Sequence, residues 1–311
     1  MFDIQRFKTT VRVPIAENAS LAEFTTFCLG GRVPAVILCE RAEQLQKVLQ
    51  YFLSEKIFSY VIIGEGSNLL VSDQGVTEPV IRYFSKKSYF ERVGDEIIVE
   101  ASSGVDHLAF VCAQQGLAGL GFASGIPGSV GGAVAGNAGA FGREMRDCIV
   151  SVETLDRQGH KKTWDVNDCD LSYRHSRFTD PGEAILRVHL KLKKEPSETL
   201  LNERKKILAE RRAKHPNYHK IPCAGSFFKN IDSAGAARRQ SAGLLLDKVG
   251  AKKMTVGGAG VFEKHANILI KKTHTCTAQD VYLLSQKMEK AVLRELGIAL
   301  EREVRLLGDF H

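Results

Sequence analysis

The sequence predicts an α+β fold of more than one domain. Its 311 residues exceed the roughly 100–200 that a single domain usually holds. Hydrophobic residues make up 44% and charged residues 25%, values of a chain that folds by burying a core and unlike those of a disordered, collagen-like or disulfide-stapled one. Strand-like and helical segments follow one another in mixed order, which argues against a pure doubly wound sheet.

From the N-terminus, β-branched content predicts a strand at Ala35–Cys39. The stripe of Leu45, Val48, Leu49, Phe52 and Leu53 predicts a helix from Ala42 to about Lys56. Strands follow at Phe58–Ile63 and Val80–Tyr83, then a hairpin of Phe90–Val93 with Ile97–Glu100 through Gly94 and Asp95. Gly104–Gln115 has a helical pattern; Val150–Leu155, Lys161–Trp164 and Ala184–Lys193 read as strands. Pro196 opens a new regime: a charged helix to Lys214, then a helix at Ala236–Val249 with Leu244, Leu245, Leu246 and Val249 as core. A strand at Gly260–Ile270, a helix at Ala278–Leu296 and a strand at Glu303–Leu307 complete the order.

The net charge of +7 suggests a polyanion partner only until it is located. Between Arg187 and Lys220 eleven Lys and Arg stand against four Glu, so this stretch carries the whole excess. It lacks the aromatic interleaving of single-strand binders, and no nucleic-acid partner is expected. Seven scattered cysteines, with no C-x-x-C pair and no zinc spacing, predict reduced thiols, a cytoplasmic protein and no metal. The opening MFDIQRFKTTVRVP has no apolar stretch of signal-peptide length. His107–Gly142 runs 36 residues without a formal charge, yet seven of the 28 glycines fall between Gly125 and Gly142 with Pro127 among them. A membrane-spanning helix does not tolerate that density, so no membrane span is expected.

Two glycine-rich loops carry the chemistry. Gly64-Glu65-Gly66-Ser67-Asn68 follows a strand, where glycine lets backbone N–H groups approach phosphate oxygens. It is no Rossmann fingerprint, because Leu69 stands where the third glycine belongs, and no G-K-[ST] follows. A tight turn and a phosphate loop both remain open. GIPGSVGGAVAGNAGAFG (125–142) is uncharged and carries Ile126, Val130, Val134 and Phe141. That composition fits backbone packed closely on something apolar: either a turn inside the core or a ligand with a diphosphate and a flat ring.

Six segments in order, TTFCLGG (25–31), GEGSNLLVSD (64–73), the glycine-rich run, SYRHSRF (172–178), AGSFFKN (224–230) and EREVRLLG (301–308), resemble the UDP-N-acetylenolpyruvoylglucosamine reductase family, the MurB flavoenzymes of bacterial cell-wall synthesis. The resemblance implies a flavin domain of the vanillyl-alcohol oxidase and p-cresol hydroxylase type in two lobes, 1–83 joined by 299–311 and 84–195. A UDP-sugar substrate domain at 196–298 is implied beside it. It implies non-covalent FAD held by Gly64, Glu65, Gly66, Ser67 and Asn68 and by Gly125, Ile126, Pro127, Gly128, Ser129, Gly131, Gly132 and Ala133. NADPH would reduce the flavin and leave before UDP-N-acetylglucosamine enolpyruvate enters; the product would be UDP-N-acetylmuramate for peptidoglycan, and the enzyme a monomer.

By the same resemblance the catalytic groups are Arg174, Ser226 and Glu303. Hydride addition drives negative charge into the substrate carboxylate, and a guanidinium fork suits that charge. Glu303 beside it should carry a raised pKa or pair with an arginine. Ser226 would protonate the α-carbon, a strongly basic acceptor, aided by Lys229 or Arg174. Lys214 and Arg211 are implied for the diphosphate, and Tyr173, Asn230 and Arg305 for other substrate contacts. The chain departs from the family pattern at Cys28, Ile231 and Lys271. The short span from Arg174 to Ala184 places it with the shorter subgroup, which lacks an inserted Tyr-bearing loop. The alternatives are an FAD-dependent oxidase of a small alcohol, with His107 as the histidine nearest the glycine-rich run, and a polyanion-binding protein using 187–220. The oxidase reading leaves SYR, GSFFKN and EREVR without a role, and the polyanion reading lacks the aromatic interleaving of single-strand binders.

Overall fold

The strand Arg32–Cys39, the helix Ala42–Ser54 and the strand Val61–Ile63 form a crossover unit. Both strands run parallel to Val80–Tyr83, which lies between them. The helix buries Leu45, Val48, Leu49 and Phe52 on one face. At its start, the buried Glu100 carboxylate accepts the Ala42 N–H at 2.6 Å and is met by Arg41 at 3.3 Å, so the charge sits on a helix N-terminus beside a cation. These features come from a computed structural model describing residues 2–179, 182–232 and 239–311.

The described residues fall into two units. The first takes those of 1–17, 34–65 and 78–211. Beside its parallel strands it has a five-stranded antiparallel sheet, in the order Lys161–Asp165, Ile149–Asp156, Glu183–Lys191, Glu96–Glu100, Phe90–Val93. One core that includes Ile37, Leu45, Val99, Leu108, Val152 and Val188 serves both sheets. The helix Ser197–Lys214 stays with this unit as far as Arg211.

The second unit takes the described residues of 18–33, 66–77 and 212–311. Its three-stranded antiparallel sheet is Thr255–Val256, Ala259–Phe262 and His265–Lys271. Arg305–Leu307 pairs in parallel with Leu69–Val71. The long helix Ala278–Leu296 begins at a capping box of Thr277 with Asp280 and ends at left-handed Gly297. Its first two free N–H groups, those of Ala278 and Gln279, are taken by the Asp73 carboxylate at 2.9 Å each.

Three expectations change. The strand Gly260–Ile270 is two strands of a hairpin turning at Glu263 and Lys264. The helix expected from Ala236 begins at Ala242 under a Ser241 cap, its earlier part lying partly outside the described residues, and Leu244 is 64% exposed rather than core. The glycine-rich run contains a short helix, Val130–Ala135, capped by Ser129. Among the described residues no helix is long and apolar enough to cross a membrane, and no cluster of His, Cys, Asp or Glu could hold a metal ion.

Candidate active site

Within the first unit the two predicted glycine loops touch. A Cβ on Gly64 would lie 2.5 Å from Ser129 Oγ, closer than any real contact, so a larger residue there would displace the Ser129 hydroxyl. Gly128 N–H donates to the Glu65 carboxylate at 2.6 Å. Ser129 Oγ accepts the Gly132 N–H at 3.1 Å, and a Cβ on Gly131 would press on Ala101 at 3.0 Å. Ile126 and Ala133 donate to Ala123 and Ser129 carbonyls, and Gly125 N–H goes to the Asp106 carboxylate at 2.6 Å. Beside Gly125, Ser124 is 1% exposed and its Oγ has no hydrogen-bond partner in the structure. A hydroxyl so placed is normally satisfied. Backbone brought this close by glycine and the orphaned Ser124 hydroxyl fit a dinucleotide with a flat ring, while the N–H groups that open the helix Val130–Ala135 are taken by Ser103, Ala101 and Ser129. In the second unit, Gly66 is left-handed and a Cβ there would lie 2.3 Å from the Phe24 carbonyl.

Arg174 stands at the tip of a two-residue turn. Ser172 and His175 exchange both backbone hydrogen bonds, at 3.1 and 3.2 Å, leaving Tyr173 and Arg174 between them. Arg174 has φ +55°, a position that usually takes glycine or asparagine. The turn is held by fully buried Asn137, whose Nδ2 donates to the Ser172 carbonyl at 3.0 Å while its Oδ1 accepts the Arg146 N–H. The guanidinium donates to the Gly139 carbonyl at 3.2 Å and lies over the Tyr173 ring.

Ser226 and Glu303 lie on two backbone-bonded segments of the second unit. Ser226 follows left-handed Gly225 and precedes the buried Phe227 and Phe228. Glu303 N–H donates to the Phe227 carbonyl at 2.8 Å, and Lys229 N–H to the Glu301 carbonyl at 2.8 Å. Asn68 Nδ2 donates to the Glu303 carbonyl at 3.0 Å, and Arg305 N–H returns to the Asn68 carbonyl. Lys229 pairs with Glu301 at 2.6 Å.

Arg211, in the first unit, packs on Gly125, donates to the Phe122 carbonyl at 3.0 Å and covers the Phe141 ring. Burial pulls its guanidinium below the usual arginine value. Lys214 is among the charges that hold His265 below the usual histidine range, with burial the main cause. Asn230 Oδ1 accepts the Ala242 N–H at 3.1 Å. Arg305 is exposed on the parallel strand. His107 Nδ1 lies 3.0 Å from Ser88 Oγ.

A UDP-N-acetylenolpyruvoylglucosamine reductase of Pelobacter propionicus is 38% identical over 291 residues, covering 93% of this chain and 94% of its own. The chain belongs to the UDP-N-acetylenolpyruvoylglucosamine reductase family. A relative from Carboxydothermus hydrogenoformans is 34% identical over 95% of both chains. The crystal structure of the reductase (MurB) from Thermus caldophilus superposes with a TM-score of 0.76 at 32% identity, covering 96% of this chain and 99% of that one. The FAD binding domain model matches 33–163 and the reductase C-terminal domain model 215–307.

Two departures from the reductase pattern meet: Lys271 Nζ donates to the Cys28 carbonyl at 3.1 Å. The third, Ile231, donates its N–H to Gln240 at 3.0 Å, a bond a proline could not make. Sequence reasoning missed Asn137, Ser124, Asp73 and Asn267. Asn267 offered a signal, an amide inside the apolar run ANILI.

Proposed function

We infer that the chain reduces the enolpyruvyl group of UDP-N-acetylglucosamine enolpyruvate to UDP-N-acetylmuramate, its family's step in peptidoglycan precursor synthesis, with NADPH as reductant and non-covalent FAD. The observation that carries this reading is the junction of the two glycine loops, Gly64 on Ser129 and Glu65 on Gly128, in a chain that aligns with the reductases over more than nine-tenths of its length. The loops 64–68 and 125–133 would hold the cofactor, with Ser124 as an additional donor. When bound, FAD relays hydride from NADPH to the β-carbon of the substrate.

The residues of the chain manage the charge and the proton. Arg174 holds the substrate carboxylate as enolate charge develops, from a backbone that needs no rearrangement. Ser226 delivers the proton to the α-carbon, and Glu303 assists from the adjoining segment. Lys214 and Arg211 serve the diphosphate; Tyr173, Asn230 and Arg305 contact the rest of the substrate. On this reading the protein is a cytoplasmic monomer of the shorter subgroup.

The test begins with the visible spectrum of the purified protein. A flavin spectrum should bleach with NADPH and return on adding the enolpyruvyl substrate. Ser226→Ala should bleach normally and fail to recover. A protein that stays colourless after incubation with FAD overturns the reading.

A further inference from the structure

We propose that Asn267 is the positioning residue for Ser226, its side-chain amide standing in for a missing strand partner along the segment Phe227–Phe228. This rests on the reading of Ser226 as proton donor. The strand His265–Lys271 is paired on one side with Ala259–Phe262. On its other side it meets the segment after Ser226. There the Asn267 carbonyl accepts the Phe227 N–H at 2.8 Å, so the amide that directly follows Ser226 is fixed.

Phe228 is then gripped by the side chain rather than by backbone. Its N–H donates to Asn267 Oδ1 at 2.9 Å, and its carbonyl accepts from Asn267 Nδ2 at 2.8 Å. Asn267 is 2% exposed among Ala266, Ile268 and Leu269, a setting in which an amide persists only with its donors and acceptors used. The opposite edge of the segment is occupied by the Glu303 and Val304 N–H groups on the Phe227 carbonyl and by the Glu301 carbonyl on Lys229. Ser226 is thus attached to a two-residue rung clamped between Asn267 and the segment Glu301–Val304. Removing one jaw leaves two buried backbone groups at Phe228 unpaired and frees the rung to shift, and misplacement of a reacting group by about 1 Å is enough to cost about 100-fold in rate.

The test uses stopped-flow of the FAD-loaded enzyme, following each half-reaction separately. Asn267→Ala should leave reduction by NADPH within about twofold of the parent and slow reoxidation by the enolpyruvyl substrate about 100-fold. Asn267→Asp keeps the acceptor for Phe228 N–H and should recover part of the loss. In a Ser226→Ala background, Asn267→Ala should slow reoxidation less than about twofold further, because the two changes remove the same function. Equal slowing of both half-reactions, or the same penalty with and without the serine hydroxyl, overturns the proposal. Where Ser226→Ala is slow and Asn267→Ala is not, positioning alone falls. Where Ser226→Ala runs as fast as the parent, the proton-donor reading falls and this proposal with it.

Discussion

Gly64→Ala should damage flavin binding through Ser129. The added Cβ would lie 2.5 Å from Ser129 Oγ and 3.2 Å from its Cβ, against an ordinary contact of at least 3.4 Å, so the hydroxyl must retreat by about 0.9 Å. That hydroxyl caps the helix Val130–Ala135 through Gly132 N–H at 3.1 Å. Losing such a cap costs about 1 kcal/mol, and the residual overpacking about 1–3 kcal/mol. Carried into the geometry that receives FAD, a loss of about 2–4 kcal/mol in binding weakens affinity roughly 30–900-fold. Titration of the apoprotein with FAD, read by quenching of flavin fluorescence, measures it. The decisive comparison is Ser129→Gly, which removes both obstructing atoms while glycine as a cap costs only a few tenths of a kcal/mol. In that background Gly64→Ala should cost less than about 0.5 kcal/mol; the same penalty in both backgrounds would refute the reasoning.

Arg174→Asn puts a residue that tolerates the left-handed conformation at the tip of the turn. Stability should hold or rise by up to about 1 kcal/mol while turnover falls at least about 100-fold; a lower melting temperature would show that the turn is not strained by arginine. In the native protein a disulfide-exchange reagent should titrate Cys28 promptly and the other six thiols only on unfolding, since Cys28 alone is exposed and burial pushes Cys39, Cys112 and Cys148 up to about 12. Two or more fast thiols would contradict this. Burial, with Lys252 and Lys214 nearby, holds His265 below its ordinary 6.5 against the pull of Asp247. A depressed value means the unfolded state binds the proton more readily, so its contribution is present above pH 6.5 and lost as pH falls below it. Denaturant midpoints should therefore drop between pH 7.5 and 5.5, and less steeply in His265→Gln; equal slopes would count against it.

The elements most legible in the sequence were those with punctuation. Ala278–Leu296 matched because Thr277, Asp280 and Gly297 mark its ends, and Val80–Tyr83 because it is a short apolar run beside Pro79. The hairpin within 260–270 was hidden because Glu263 and Lys264 carry no turn signal. The helix Val130–Ala135 was hidden by glycine density, which propensity reads as loop. At the site, motif resemblance pointed to Arg174, Ser226 and Glu303 but not to what braces them. Asn137 and Asn267 act on backbone groups far away in sequence, and a partner that is backbone leaves no pattern of residue types to read.

The parallel pairing of Leu69–Val71 with Arg305–Leu307 has a consequence for synthesis. Leu69 and Arg305 meet across 236 residues. At roughly 5–20 residues per second, the earlier strand waits on the order of 10–50 s for its partner to be made. During that interval Leu70 and Phe27, fully buried in the finished unit, have nothing to close over them. The segments 18–33 and 66–77 are therefore where a nascent chain is most open to chaperones and to aggregation, and the loop at Gly225–Phe228, tied to Glu303, is among the last parts of the chain to be assembled.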